Sequence, residues 1–192
     1  MFQVRIHGRG GQGVVSGAEL LAIAAFREGR HAQAFPSFGS ERMGAPVMAF
    51  CRIDDREIRL REPVMEPDVL IIQDPTLLHQ VDLFKGLAAT GLILINSTKS
   101  VVDLGLVDLL GGTRRYRLCR VPATEIAQRH VGRPVPNTAL LGCLVAASGA
   151  IRLESIIAAI REKFAGNLAE GNVAAAGEAY TMARESREAV HA

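Results

Sequence analysis

FQVRIHGRGGQG (residues 2–13) reads as a short buried strand, Phe2–Ile6, that runs into a loop of four glycines. A helix follows at once, in VVSGAELLAIAAFREG from Val14. Glycine lets a backbone turn sharply and approach a ligand, because no Cβ blocks it. A helix that begins there aims unpaired N–H groups and its positive dipole end at the loop. That combination suits an anion, typically a phosphate. The spacing Gly8-x-Gly10-x-x-Gly13 also matches the dinucleotide fingerprint. That fingerprint needs an acidic residue about 20 positions on to hold the ribose. No Asp or Glu occurs between Glu28 and Glu41, which leaves a phosphate loop of another type.

Further along, strands alternate with helices. Strands are expected at His31–Ala34, Val69–Gln73, Gly91–Asn96 and Arg115–Pro122. The continuous apolar runs VLII and LILI mark strands buried on both faces. VMAFCRI (Val47–Ile53) and REIRLR (Arg56–Arg61) both alternate around Asp54-Asp55 and predict a hairpin. Prolines and glycines in Phe35–Pro46 predict a loop without regular structure. Pro75 suits a helix start, and Asp74 before it suits a cap. A short helix is expected over Val101–Leu110. From Ala123 onward the pattern is helical: Ala123–His130, Thr138–Ala150, Leu153–Phe164 and Asn167–Ala189. The expected fold is α/β. It is a single three-layer domain over residues 1–192, with a mixed, mainly parallel sheet, a Gly-rich loop after the first strand and a helical part over about 123–192.

Composition narrows the function. At 192 residues, 48% hydrophobic and 22% charged, the chain has enough material for a sizeable core. Net charge is +2, with seven Phe, two Tyr and no Trp, so no nucleic-acid groove is indicated. Mean hydropathy is +0.18 without an apolar run of membrane-spanning length, which fits either surface covered by partner subunits or simply an alanine-rich core. MFQVRIHGRG lacks the apolar core of a signal peptide, so a cytoplasmic location is expected. Cys51, Cys119 and Cys143 are far apart in sequence. They suggest small buried hydrophobes, not a disulfide framework, a zinc site or an iron–sulfur cluster. The five histidines form no spaced cluster, and neither a serine elbow nor a lysine-bearing P-loop is present. Arg9, inside the loop, would add a forked cation beside its backbone amides.

Three blocks together carry a resemblance: HGRGGQGVVSGAELLA (His7–Ala22), QAFPSFGSERMGAPVMAFCRID (Gln33–Asp54) and EPDVLIIQDPTLL (Glu66–Leu78). PNTALLG (Pro136–Gly142) is a fourth. The chain resembles the gamma subunit of 2-oxoacid:acceptor oxidoreductases of the pyruvate:ferredoxin type. That resemblance implies a hetero-oligomer that oxidatively decarboxylates a 2-oxoacid to acyl-CoA and CO2. Thiamine diphosphate, Mg and [4Fe-4S] clusters would reside in partner chains, and ferredoxin or NAD would accept the electrons. The gamma chain, inactive alone, would help form the coenzyme A site. The positions implied in coenzyme A binding are Arg9, Gly10, Gly11, Gln12, Gly13 and Arg42, with no catalytic residue and no metal ligand. The loop Ser37–Gly44 would face the thiamine-bearing partner. The family pattern there is Gly-Pro/Val-Glu-Arg-Arg-Gly, whereas this chain has Met43 in place of the second arginine. Pyruvate is the default substrate; an aromatic 2-oxoacid such as phenylglyoxylate, a branched-chain 2-oxoacid and 2-oxoglutarate stay open. The alternatives are a stand-alone NAD(P)-binding dehydrogenase domain and a purely structural subunit.

Overall fold

β1 (Phe2–Arg9) lies inside a six-stranded sheet of order β2-β3-β1-β4-β5-β6, formed with β2 (His31–Pro36), β3 (Pro46–Asp54), β4 (Val69–Ile72), β5 (Leu92–Asn96) and β6 (Arg117–Val121). The computed structural model describes residues 1–37, 43–113 and 115–191, with 187–191 as backbone only. β1, β4, β5 and β6 run parallel, and β3 runs antiparallel to both of its neighbours. The sheet is therefore mixed and mainly parallel, as expected.

The predicted hairpin does not form. β3 already pairs with β1 on one side and β2 on the other, Val4 facing Cys51 and Ala34 facing Cys51. Arg56–Arg61 has no free edge to join, and it lies outside the strands as a mostly exposed segment. β2 extends through Phe35 and Pro36 and β3 begins at Pro46, so the expected loop is shorter at both ends. The helix expected over Val101–Leu110 is cut to α2 (Val107–Gly111), because Gly105 turns left-handed at φ 67°. Pro75–His79 is a single 3₁₀ stretch, capped by Asp74 as predicted.

Alternation across the sheet separates two cores. Val4, Ile6, Cys51, Val69, Ile71, Leu92 and Leu94 face the helical layer. That layer comprises α1 (Val14–Arg27), α3 (Ala123–Val131), α4 (Asn137–Ser148), α5 (Leu153–Lys163) and α6 (Gly166–His191). Leu70, Ile72, Ile93 and Ile95 face the other way, onto Leu77, Leu83, Leu87, Leu104 and Leu106. Strands buried on both faces carry continuous apolar runs for this reason. α4 is apolar nearly all round because it lies inside the helical layer, where Asn137 through Val145 are buried.

The second face of β1 and β3 carries polar groups that loop backbone satisfies in part; Arg5 Nε and His7 Nε2 have no partner among the described residues. Arg5 donates to the carbonyls of Leu83 (2.8 Å) and Lys85 (2.7 Å). Arg52, 2% exposed, donates to Gln3 and to the Pro63 carbonyl and lies over the Phe35 ring. His7, on the same face, is buried, and burial together with the nearby Arg5 charge pushes it down to about 4. An unfolded histidine protonates near 6.5, so between pH 6.5 and 4 the unfolded chain binds more protons. Stability is therefore expected to fall as pH drops through that window, by about 2 kcal/mol at pH 5 relative to pH 7.5. Urea titrations at the two pH values check this, and a His7→Asn variant should show a flatter pH slope.

Candidate functional site

The glycine bend sits at the carboxyl end of β1, next to the carboxyl end of β4. Chain connections diverge there, since β1 leads through α1 to β2 on one side while β4 lies on the other. Open α/β sheets bind ligands at such switch points.

Three polar side chains hold the bend, and Asp74 is their hub. Its carboxylate accepts from Arg9 Nε (3.0 Å), Gln12 Nε2 (3.2 Å), the Thr76 amide (3.0 Å) and the Thr76 hydroxyl (2.6 Å). Burial opposes its ionisation, but the Thr76 hydrogen bonds, the Arg9 charge and Gln12 outweigh that and hold the carboxyl below its ordinary value of 3.8. Gln12 closes the ring, its Oε1 accepting from the Arg9 amide at 2.8 Å. The Arg9 guanidinium also donates to the Gly44 carbonyl (3.0 Å), Thr76 Oγ1 (2.8 Å) and Gln80 Oε1 (3.0 Å). Arg9 is thus a clasp joining the bend, the Met43–Ala45 segment and the 3₁₀ stretch, and most of its N–H donors are taken.

The predicted site residues divide accordingly. The Gly10 amide donates to the Ala45 carbonyl and the Gly10 carbonyl accepts from Gly44, so Gly10 bridges to the segment at Met43. The Gln12 amide donates to the Arg9 carbonyl. Gly11 is exposed, with φ 95°, and Gly13 has φ 73° at the N-cap of α1. Among the described residues, nothing accepts from the Gly11 or Gly13 amide and no side chain caps α1. These are the donors left for an anion. Arg42 lies outside the described residues; Met43, its neighbour, is 87% exposed.

Two features had no assigned role in the sequence. Gln73, 1% exposed, directly follows β4 beneath the first turn of α1, and its Oε1 has no partner among the described residues. Asn137 donates from Nδ2 to the Gly13 carbonyl at 3.2 Å and supports the bend from below. Its neighbour Thr138 donates to Asn172 of α6 at 2.9 Å. PNTALLG signalled Asn137 only as part of a motif. Its separation of 124 residues from Gly13 hides the contact from any local reading.

The model of the pyruvate ferredoxin/flavodoxin oxidoreductase family matches residues 3–182. The chain belongs to that family. It is 47% identical over 180 residues to the "Pyruvate/ketoisovalerate oxidoreductases common subunit gamma" of Thermococcus kodakarensis, covering 94% of this chain and 96% of the relative. It is 46% identical to the "Pyruvate synthase subunit PorC" of Methanocaldococcus jannaschii, with the same coverage. The crystal structure of the pyruvate oxidoreductase subunit PORC from Thermotoga maritima superposes with a TM-score of 0.80 at 36% identity, over 94% of this chain and 95% of that one. The resemblance read from the sequence blocks is borne out: this is a gamma-type subunit of the pyruvate:ferredoxin oxidoreductase family. No helix among the described residues is long and apolar enough to cross a membrane.

The sheet order also removes the dehydrogenase alternative. In a dinucleotide-binding fold the second strand lies beside the first and carries the ribose carboxylate at its end. Here β3 intervenes, so β2 is two strands from the bend, roughly 10 Å away.

Proposed function

We propose that this chain is the gamma subunit of a cytoplasmic, coenzyme A-acylating 2-oxoacid:acceptor oxidoreductase acting on pyruvate, and that its glycine bend helps form the coenzyme A site. The observation that carries this reading is the pair of amides at Gly11 and Gly13, without an acceptor among the described residues, beside the N-terminus of a 14-residue helix that no described side chain caps. Coenzyme A brings several phosphate charges to such a cradle. Partner chains would hold thiamine diphosphate, Mg and the [4Fe-4S] clusters, and ferredoxin or NAD would take the electrons. With three cysteines, of which Cys51 and Cys143 are fully buried, this chain would leave the cluster ligands to its partners.

Arg9, with its donors engaged by Asp74, Thr76, Gln80 and Gly44, would act on coenzyme A by fixing the bend. Arg42 is retained as a second cation for the same ligand. One gamma chain in Thermococcus kodakarensis bears a name covering both pyruvate and ketoisovalerate oxidoreductases. That favours a gamma subunit indifferent to the oxoacid, with Met43 neutral to substrate choice.

In the reconstituted complex, Arg9→Ala is expected to raise KM for coenzyme A about tenfold while KM for the oxoacid changes less than twofold, a difference of about 1.4 kcal/mol. Equal effects on both constants would count against a phosphate contact at the bend. Hydrogen exchange separates this reading from a purely structural subunit: coenzyme A should slow exchange at the amides of Gly11, Gly13 and Val14. Unchanged exchange would favour the structural role.

A further inference from the structure

Two thiols that lie far apart in sequence meet away from the glycine bend. Cys119 is on β6, the edge strand, and Cys143 is on α4 behind it. Their sulfurs are 2.9 Å apart, both are free thiols, and nothing separates them. Cys119 is partly exposed and lines a cleft of about 890 Å³ with Ser97, Tyr116, Leu118, Met182 and Ser186. Cys143 is buried.

We propose that Cys119 and Cys143 are a site of reversible oxidative modification, a dithiol that hydrogen peroxide converts to an intrachain disulfide through the β6 cleft. The roles of the two sulfurs differ. The hydrogen bond with Cys143 and the nearby Arg120 charge lower the Cys119 thiol despite its burial. Cys143 is raised by its contact with Cys119 and by its burial. Cys119 is the reachable and more acidic thiol, and Cys143 is its buried partner.

The chemistry balances. The Cys119 thiolate attacks one peroxide oxygen and the O–O bond breaks. With one proton taken up, this yields a sulfenic acid and water. The Cys143 sulfur then attacks the sulfenyl sulfur, so that the S–S bond forms and the S–O bond breaks. The hydroxyl leaves as water with the Cys143 proton. Two thiols and one peroxide give one disulfide and two waters. The sulfurs, 2.9 Å apart, must approach by roughly 0.9 Å to reach the S–S bond length of about 2.05 Å. The reaction keeps Cys119 from irreversible sulfinic oxidation, because the resolving thiol is already in contact. Cys51 is the internal control: it is fully buried and its thiol is pushed up to about 12, so it should stay reduced.

The test treats the full chain, alone and within the assembled complex, with hydrogen peroxide, then counts thiols after denaturation and maps peptides by mass spectrometry. The expected result is a fall from three titratable thiols to one, with the Cys119 and Cys143 peptides linked and a dithiol reductant restoring all three. In Cys143→Ser, Cys119 should stop at a sulfenic acid captured by dimedone. In Cys51→Ser, the same link should form at the same rate. Direct passage of Cys119 to sulfinic acid in the parent chain would overturn the proposal. So would oxidation of Cys51 at a matching rate, or no thiol loss at peroxide levels that oxidise free cysteine.

Discussion

Gly142→Ala is expected to destabilise the chain by about 3 kcal/mol or more and to lower Tm by roughly 10 °C. Gly142 lies in the middle of α4, where it faces α6. A Cβ there would overlap the Ala176 carbonyl and stand 3.0 Å from the Ala176 Cα. The obstacle is backbone, so no side-chain rotation relieves it, and the two helices must move apart. The seam they share is built from small residues, Ala175, Ala176, Ala179 and Ala183, all buried. Separation would open gaps along it, and interiors at crystal-like density lose contacts quickly when opened. Gly177, on the facing helix α6, is the control. Nothing lies within 4 Å of a Cβ built there, so Gly177→Ala should gain up to about 1 kcal/mol from helix propensity. Thermal unfolding of the two variants side by side checks the contrast; similar melting temperatures would show that the seam yields easily.

The second large effect is expected from Asp74→Ala, about 3 kcal/mol at neutral pH. The substitution removes the acceptor of four hydrogen bonds at once and strands the Arg9 charge in a half-buried position. Asp74→Asn should cost less, because its amide oxygen still caps Thr76. The carboxyl is held below 3.8, so its contribution is present above that value and is lost as pH falls through the lower folded value. Denaturant curves at pH 7 and pH 3 should show the penalty shrinking at the lower pH. A constant penalty would point to packing and not charge. In the assembled enzyme, Asp74→Ala should raise KM for coenzyme A alongside Arg9→Ala. The double variant should show less than the sum of the two effects, since both remove one clasp.

What could be read from residues alone was whatever physics acts locally. VLII and LILIN announced buried strands because a strand covered on both faces has no polar side to show. Gly13 before an apolar helix announced a bend and an uncapped helix start. Asp74 before Pro75 announced a cap, and the cap is there. The failures came where distant segments decided the outcome. Arg56–Arg61 alternates as a strand should, yet pairing needs an open edge, and both edges of β3 were taken by strands from elsewhere in the chain. Arg9 read as a spare cation because its partners lie 65 to 71 residues away, or in the Gly44 backbone. The cysteines read as unrelated because a helix separates β6 from α4, and only the fold returns Cys143 to Cys119.

The link from Gly13 through Asn137 and Thr138 to Asn172 changes what the C-terminal third of the molecule is for. The floor under the bend is α4, and α4 is bolted to the long final helix. Loosening that helix would therefore tilt the amides of a loop that lies far earlier in the chain. The start of α6 is a mounting bracket for the cradle, and wear in the bracket should register first as poorer aim.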